Sequence, residues 1–232
     1  MRYALHVDES PDGRLFGAER GCDVFTQTLV RVDAGHTVER AGGVSDEVLY
    51  VLAGNGRASC DGAAHELVPG TGVFAAAGTR WELAAESELR AVSVLVHDPA
   101  PATRPFAVVD LAAAERGVAT AGRQFILGAT PEHGCASVTQ FVGLVPPGRA
   151  PDHFHTYDEV IYVLDGRGRL FIGDEEAELR PGSCVHLPAR LVHCLANTGD
   201  TELRLLGVFR PAGSPAEAYY PDGTPAVVPE RS

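Results

Sequence analysis

The fold class predicted is all-β, in two copies of one unit, and three observations predict it. Short β-type runs separated by Gly, Asp, Asn and Pro follow one another along most of the 232 residues. Asp46 to Arg57 recurs as Asp158 to Arg169, with nine of twelve positions identical at an offset of 112. Further pairs keep the same order around that window: Gly21-Cys22 with Gly134-Cys135, Thr26-Gln27 with Thr139-Gln140, and Pro69-Gly70 with Pro181-Gly182. Glu88-Leu89-Arg90 and Glu202-Leu203-Arg204 follow after a two-residue slip. Composition does not supply this much agreement, so the chain is a duplication.

In the first copy, Tyr3 to Val7 reads as a short strand and Ser10-Pro11-Asp12-Gly13 as a turn. Phe25 to Val32 and Glu47 to Leu52 read as strands, the second closed by Gly54-Asn55-Gly56, a hairpin signal. Leu67 to Phe74 and Leu89 to Val96 continue the pattern. Proline lacks the ladder donor, so Pro99 to Pro105 breaks it. Asp110 to Arg116 suits one or two helical turns with Asp110 as N-cap. The expected division is a first domain over 1–98, a linker over 99–123 and a second domain over 124–232. The Pro-, Gly- and Ala-rich tail after Arg210 is expected to pack over the outside or fray.

The formal charge is −12, and all 19 basic residues are Arg. Without lysine there is neither a Walker-type phosphate lysine nor a Schiff base. An acidic chain lacking a basic block argues against nucleic acid or anionic membrane as a partner. Met1 to Ser10 has no apolar core of a signal peptide, and no apolar run spans a bilayer. Five cysteines without CxxC spacing indicate neither a disulfide framework nor a zinc knuckle, and a reduced, cytoplasmic setting is expected.

The chemistry gathers in residues 148–197. Side chains two apart on a strand share a face, so His153, His155 and Glu159 aim into one cavity from a strand and its entry turn. A second strand-like run ends at Pro188 to His193 and offers a fourth donor, His193. Three imidazoles and one carboxylate suit one divalent transition metal, with Fe, Mn, Ni, Co, Cu and Zn all open. Tyr157 shares the ligands' parity. His186, seven residues before His193, stands where the first copy has Phe74; it is a candidate general base or substrate contact. Cys184 and Cys194 read as small core residues rather than ligands. His6, His36, His65, His97 and His133 are assigned no role.

These residues also carry a family pattern. Gly148…His153-Phe154-His155…Glu159…Gly166 resembles the first conserved motif of the cupins, one residue short before the first histidine. Gly182…Pro188…His193…Asn197 resembles the second, with Arg190 where glycine is usual. With the repeat, the resemblance covers most of both halves and implies two tandem jelly-roll barrels, a bicupin. It implies a metal held by His153, His155, Glu159 and His193. Phe141, Ile161, Phe171 and Leu195 read as barrel lining and make the expected pocket partly apolar. A constant offset places Ala41, Gly43 and Trp81 opposite the three histidines, and Glu47 opposite Glu159. The first barrel is therefore expected to be metal-free, with Trp81 filling the space.

Four ligands in an octahedral shell leave two positions, and the site is similar to that of quercetinase-like cupin dioxygenases. The leading expectation is an oxygenase acting on a small organic molecule. The rivals are Lewis-acid isomerase, cyclase or lyase chemistry, with His186 moving the proton, and a non-catalytic ligand-binding protein. A monomer and a homodimer are both compatible with an internal pair of barrels.

Overall fold

A computed structural model describes residues 1–10 and 12–226. The expected turn at 10–13 includes Pro11, and the last residues of the tail are 227–232; both lie outside the described residues. Among the described residues, regular structure is almost wholly antiparallel strand, interrupted by four 3-10 turns. No helix among the described residues is long and apolar enough to cross a membrane.

Each copy folds into a large sheet backed by a four-stranded one. In the first copy the large sheet runs Phe106–Asp110, Thr71–Ala75, Asp46–Ala53, Leu89–Val96, Phe25–Val32 and Arg14–Phe16. Its partner runs Thr37–Ala41, Arg80–Ala85, Gly56–Cys60 and Ala63–Leu67. In the second copy the order is Ala4–His6, Ser183–Leu187, Asp158–Asp165, Leu203–Arg210, Thr139–Val145, Gln124–Leu127 and Arg116–Val118. Gly148–Arg149, Cys194–Asn197, Gly168–Ile172 and Glu175–Leu179 back it.

The outer strands are exchanged. Ala4–His6 pairs with Ser183–Leu187 of the second copy, Leu5 opposite Cys184. Phe106–Asp110 crosses the other way and pairs with Thr71–Ala75 of the first, Val108 opposite Val73. The expected linker thus supplies strands to both large sheets, since Arg116–Val118 edges the second. The helical turns expected over Asp110 to Arg116 do not form. Asp110 ends a strand, and its carboxylate accepts the Ala112 N–H at 2.9 Å in a turn.

The central strands are apolar on both faces because both are buried. Val48 and Tyr50 face the layer between the two large sheets, together with Val160, Tyr162, Leu206 and Val208. Leu49 and Val51 face the first barrel's own core with Trp81 and Leu83. Ile161 and Val163 face the second barrel's core with Leu170, Leu187 and Leu195. Burying each such side chain contributes roughly 1.5–3 kcal/mol relative to leaving it exposed. One continuous apolar layer therefore welds the barrels.

Two local expectations need correcting. Leu67 to Phe74 is not one strand, because Pro69-Gly70 divides Ala63–Leu67 from Thr71–Ala75. Gly54-Asn55-Gly56 is not a hairpin: the strands it joins lie in different sheets, so it turns a barrel corner. The tight hairpin between Gly56–Cys60 and Ala63–Leu67 is made instead by Asp61-Gly62, at φ 49° and 82°.

Gly54 shows what a corner demands. Its φ is 81°, and a Cβ there would stand 2.1 Å from the Glu88 carbonyl oxygen. Gly35 has a similar φ of 77° with open space around it. Gly35→Ala is expected to cost about 1 kcal/mol from backbone strain alone. Gly54→Ala should cost roughly 3 kcal/mol, strain and collision together. Urea unfolding of both variants measures this, and equal losses would refute the corner's close approach.

Candidate metal centre

The entry segment His153-Phe154-His155 runs beside the residue that opens the Cys194–Asn197 strand. His153 and His193 form an antiparallel bridge, exchanging backbone hydrogen bonds of 2.9 and 2.8 Å. The bridge sets their rings 4.6 Å apart. His155 lies two residues along, its ring 5.0 Å from that of His153 and 5.2 Å from that of His193. One ligand atom from each lies within 4.8 Å of the other two.

Hydrogen bonds on the far side of each ring settle which nitrogen is available. Nδ1 of His153 donates to the Pro151 carbonyl at 2.9 Å, and Nδ1 of His193 to that of Leu191 at 2.9 Å. Nδ1 of His155 donates to the Glu217 carbonyl at 2.7 Å. A carbonyl oxygen only accepts, so each Nδ1 carries the proton and each Nε2 keeps its lone pair. Burial lowers the pKa of all three rings, and for His155 burial and neighbouring His153 take it to about 3. Three neutral imidazoles with free Nε2 atoms are a donor set that fits a divalent transition metal.

Glu159 lines the same cavity but is not one of the three residues whose ligand atoms cluster. Burial pushes its carboxyl up to about 8, against the lowering pull of Arg123. Its Oε1 and the Phe141 ring occupy the space beside Gly207, where a Cβ would meet them at 2.9 and 2.3 Å. Tyr157 is buried, stacked on His155 at 4.6 Å and on Phe209 at 4.0 Å. Phe141, Ile161 and Leu195 also line the cavity, whose volume is about 80 Å³.

Two expected pocket residues lie elsewhere. His186 is on the opposite face of Ser183–Leu187 from the cavity-lining Leu187. It packs on Phe16 at 5.8 Å with Nε2 3.8 Å from Asp158, between the two large sheets. Phe171 is likewise turned outward: Leu170 points into the core, and the Arg149 guanidinium covers Phe171 at 4.5 Å. In both strands the period of two puts the adjacent residue inside.

Two contributors went unread in the sequence. Arg123, at the end of the expected linker, lines the cavity half-buried and donates to the Leu195 carbonyl at 3.1 Å. No acidic side chain of the described residues forms an ion pair with it. The tail after Arg210 neither frays nor merely covers the surface over its described part. Its Tyr219 bridges and stacks on Phe154, and its Glu217 main chain holds His155.

The first barrel holds a cation of its own. Strand register places Arg40, not Ala41, opposite Trp81. The Arg40 guanidinium pairs closely with Glu47, reaches Ser93 at 3.3 Å and lies 5.7 Å from the Trp81 ring. Ser93 also donates to Glu47 at 2.5 Å. Trp81 is 2 % exposed and fills the barrel. A fixed positive charge thus sits beside the surviving carboxylate.

The family model described as the cupin domain matches residues 140–209. The quercetin 2,3-dioxygenase of Bacillus subtilis is 31% identical over 81 residues, which is 31% of this chain and 24% of that protein. The chain spans about half the length of the curated relatives it matches. The solved structure of protein YlbA from E. coli superposes with a TM-score of 0.71 at 16% identity, covering 89% of each chain. Oxalate decarboxylase of Bacillus subtilis, a protein with Mn(II) centres, superposes with a TM-score of 0.68 at 15% identity, over 91% of this chain and 73% of that one. The superpositions speak to fold, and the matched segment contains His153, His155, Glu159 and His193. Residues 140–209 match the cupin domain, and the duplicated sheets share the fold of these structures across both copies.

Proposed function

We propose that the second barrel is the centre of a metal-dependent oxygenase acting on a small carboxylate. The observation that carries the reading is the meeting, in one cavity, of three free Nε2 atoms and the guanidinium of Arg123, which has no ion-pair partner among the described residues. His153, His155 and His193 would hold the metal, with Glu159 as fourth ligand. Bound there, a divalent transition metal supplies Lewis-acid and one-electron chemistry to a coordinated substrate.

The chain's own residues do the rest. Arg123 anchors the substrate carboxylate with two N–H groups in one plane. Phe141, Ile161 and Leu195 exclude water and strengthen that pairing. Tyr157, fixed between His155 and Phe209, presents its hydroxyl as a neutral donor, because burial raises its pKa well above the usual value. A cavity of about 80 Å³ admits only a few non-hydrogen atoms at once. The first barrel supports its twin without a metal of its own.

Elemental analysis of protein purified without added metal should find about one equivalent of a transition metal. His153→Ala, His155→Ala and His193→Ala should each abolish it, whereas Trp81→Ala leaves it in place. Normal metal content in His193→Ala would refute the ligand set. Glu159→Ala should weaken retention without abolishing it, since three imidazoles remain.

Arg123→Gln should keep the metal and weaken binding of acetate or oxalate to the metal-loaded protein by roughly tenfold or more. Unchanged binding would remove Arg123 from the substrate site. Across a panel of small carboxylates and hydroxy acids, oxygen uptake by anaerobically loaded protein should accompany turnover. Turnover unchanged under argon would replace oxygenation with Lewis-acid chemistry.

A further inference from the structure

A second cavity, larger than the first, opens between the barrels. Its volume is about 630 Å³, and both copies wall it with matching residues. Tyr50 and Tyr162 are twins at the repeat offset, as are Pro69-Gly70 and Pro181-Gly182. Arg90 and Arg204 are twins after the two-residue slip. The cleft therefore straddles the axis that relates the copies.

Its polar groups come from both copies: Tyr50 and Arg90 from the first, Tyr162 and Arg204 from the second. Burial raises the pKa of both tyrosines, and the charge acting against it is Arg204 for Tyr50 and Arg90, then Arg31, for Tyr162. Both residues are largely buried, at 5% and 8% exposure, and line the cleft; their hydroxyls form no hydrogen bond among the described residues and are not sealed from solvent. Arg31, Arg90 and Arg204 likewise form no ion pair among the described residues. Arg31 and Arg90 even stand directly opposite on neighbouring strands, where like charges repel.

That arrangement is unexpected in a chain with 31 acidic residues to 19 basic ones. One acid, Asp165, lies on the wall; one of its oxygens accepts the Gly166 N–H, and its twin is Ala53. The copies diverged at the metal positions, where histidines face Arg40 and Trp81. They stayed alike at the cleft, which neither barrel's interior chemistry requires. Two arginines and two tyrosines, one of each from either copy, offer donors to one cavity, those of the arginines charge-assisted.

We infer that the inter-barrel cleft is a binding site for a small organic dianion, its anionic ends met by Arg90 and Arg204, with Tyr50 and Tyr162 as hydroxyl donors. The site is separate from the metal centre and does not depend on that centre's function. Its occupant is an effector or a second substrate-class molecule that bridges the copies.

Calorimetric titration with malonate, succinate, glutarate, adipate and acetate tests this, in the full chain carrying Arg123→Gln so that the metal cavity contributes little. One dicarboxylate should bind with unit stoichiometry and at least tenfold more tightly than acetate. Arg90→Gln and Arg204→Gln, both at exposed positions, should each weaken it roughly tenfold, and Tyr50→Phe or Tyr162→Phe several-fold. Metal content should stay unchanged throughout. Absence of saturable binding across the series would overturn the site, as would binding indifferent to both arginines. Arginine variants that shift only the sedimentation behaviour would assign the cleft to a second copy of the chain and overturn it equally.

Discussion

The metal-site geometry depends on where three protons sit. Each imidazole gives its Nδ1 proton to a main-chain carbonyl, from Pro151, Leu191 and Glu217. A ring so anchored cannot turn without losing a buried hydrogen bond, so the three lone pairs are aimed before any ligand arrives. Two of the carbonyls lie two residues before their own histidine, in the turns that enter the strands. The third arrives from the tail, which explains why Tyr219 is bridged and stacked against Phe154. The strand bridge between His153 and His193 does the remaining work by setting the spacing of the two rings.

Charge inside the two barrels follows one rule with two outcomes. A carboxylate buried in a closed sheet needs a positive partner or must take up a proton. Glu47 has Arg40, supported by Ser93. Glu159 has only the more distant pull of Arg123, and burial dominates. The first barrel has supplied its compensating cation covalently, whereas the second keeps neutral donors around an acid that lacks one. The same difference makes one interior a packed core around Trp81 and the other a cavity.

Much of this was legible in the sequence because period-two patterning and an internal repeat leave strong marks. Phe25–Val32 and Leu89–Val96 were readable to the residue, and the two histidine motifs already suggested one cavity. The misreadings have physical causes. His186 sits on a strand buried on both faces, so hydrophobicity does not say which face looks inward; Phe171 is an apolar residue on the outer face of its strand, half-buried under Arg149. Arg40 was hidden by a constant offset, since the second copy lacks one residue between His153 and Asp158, and the earlier offset of 113 still holds at His153. Arg123 belongs to an irregular stretch with no periodicity to orient it. Glu217 acts through its main chain, which leaves no signature in side-chain identity.

The exchanged outer strands reach furthest. Cutting the chain after residue 98 would not yield two miniature proteins, because each piece would keep a ribbon that belongs to the other and lose one it needs. Inheritance of the site-bearing copy is therefore tied to inheritance of its silent sibling. A half that has given up its histidines survives as an obligatory component of the other's scaffold.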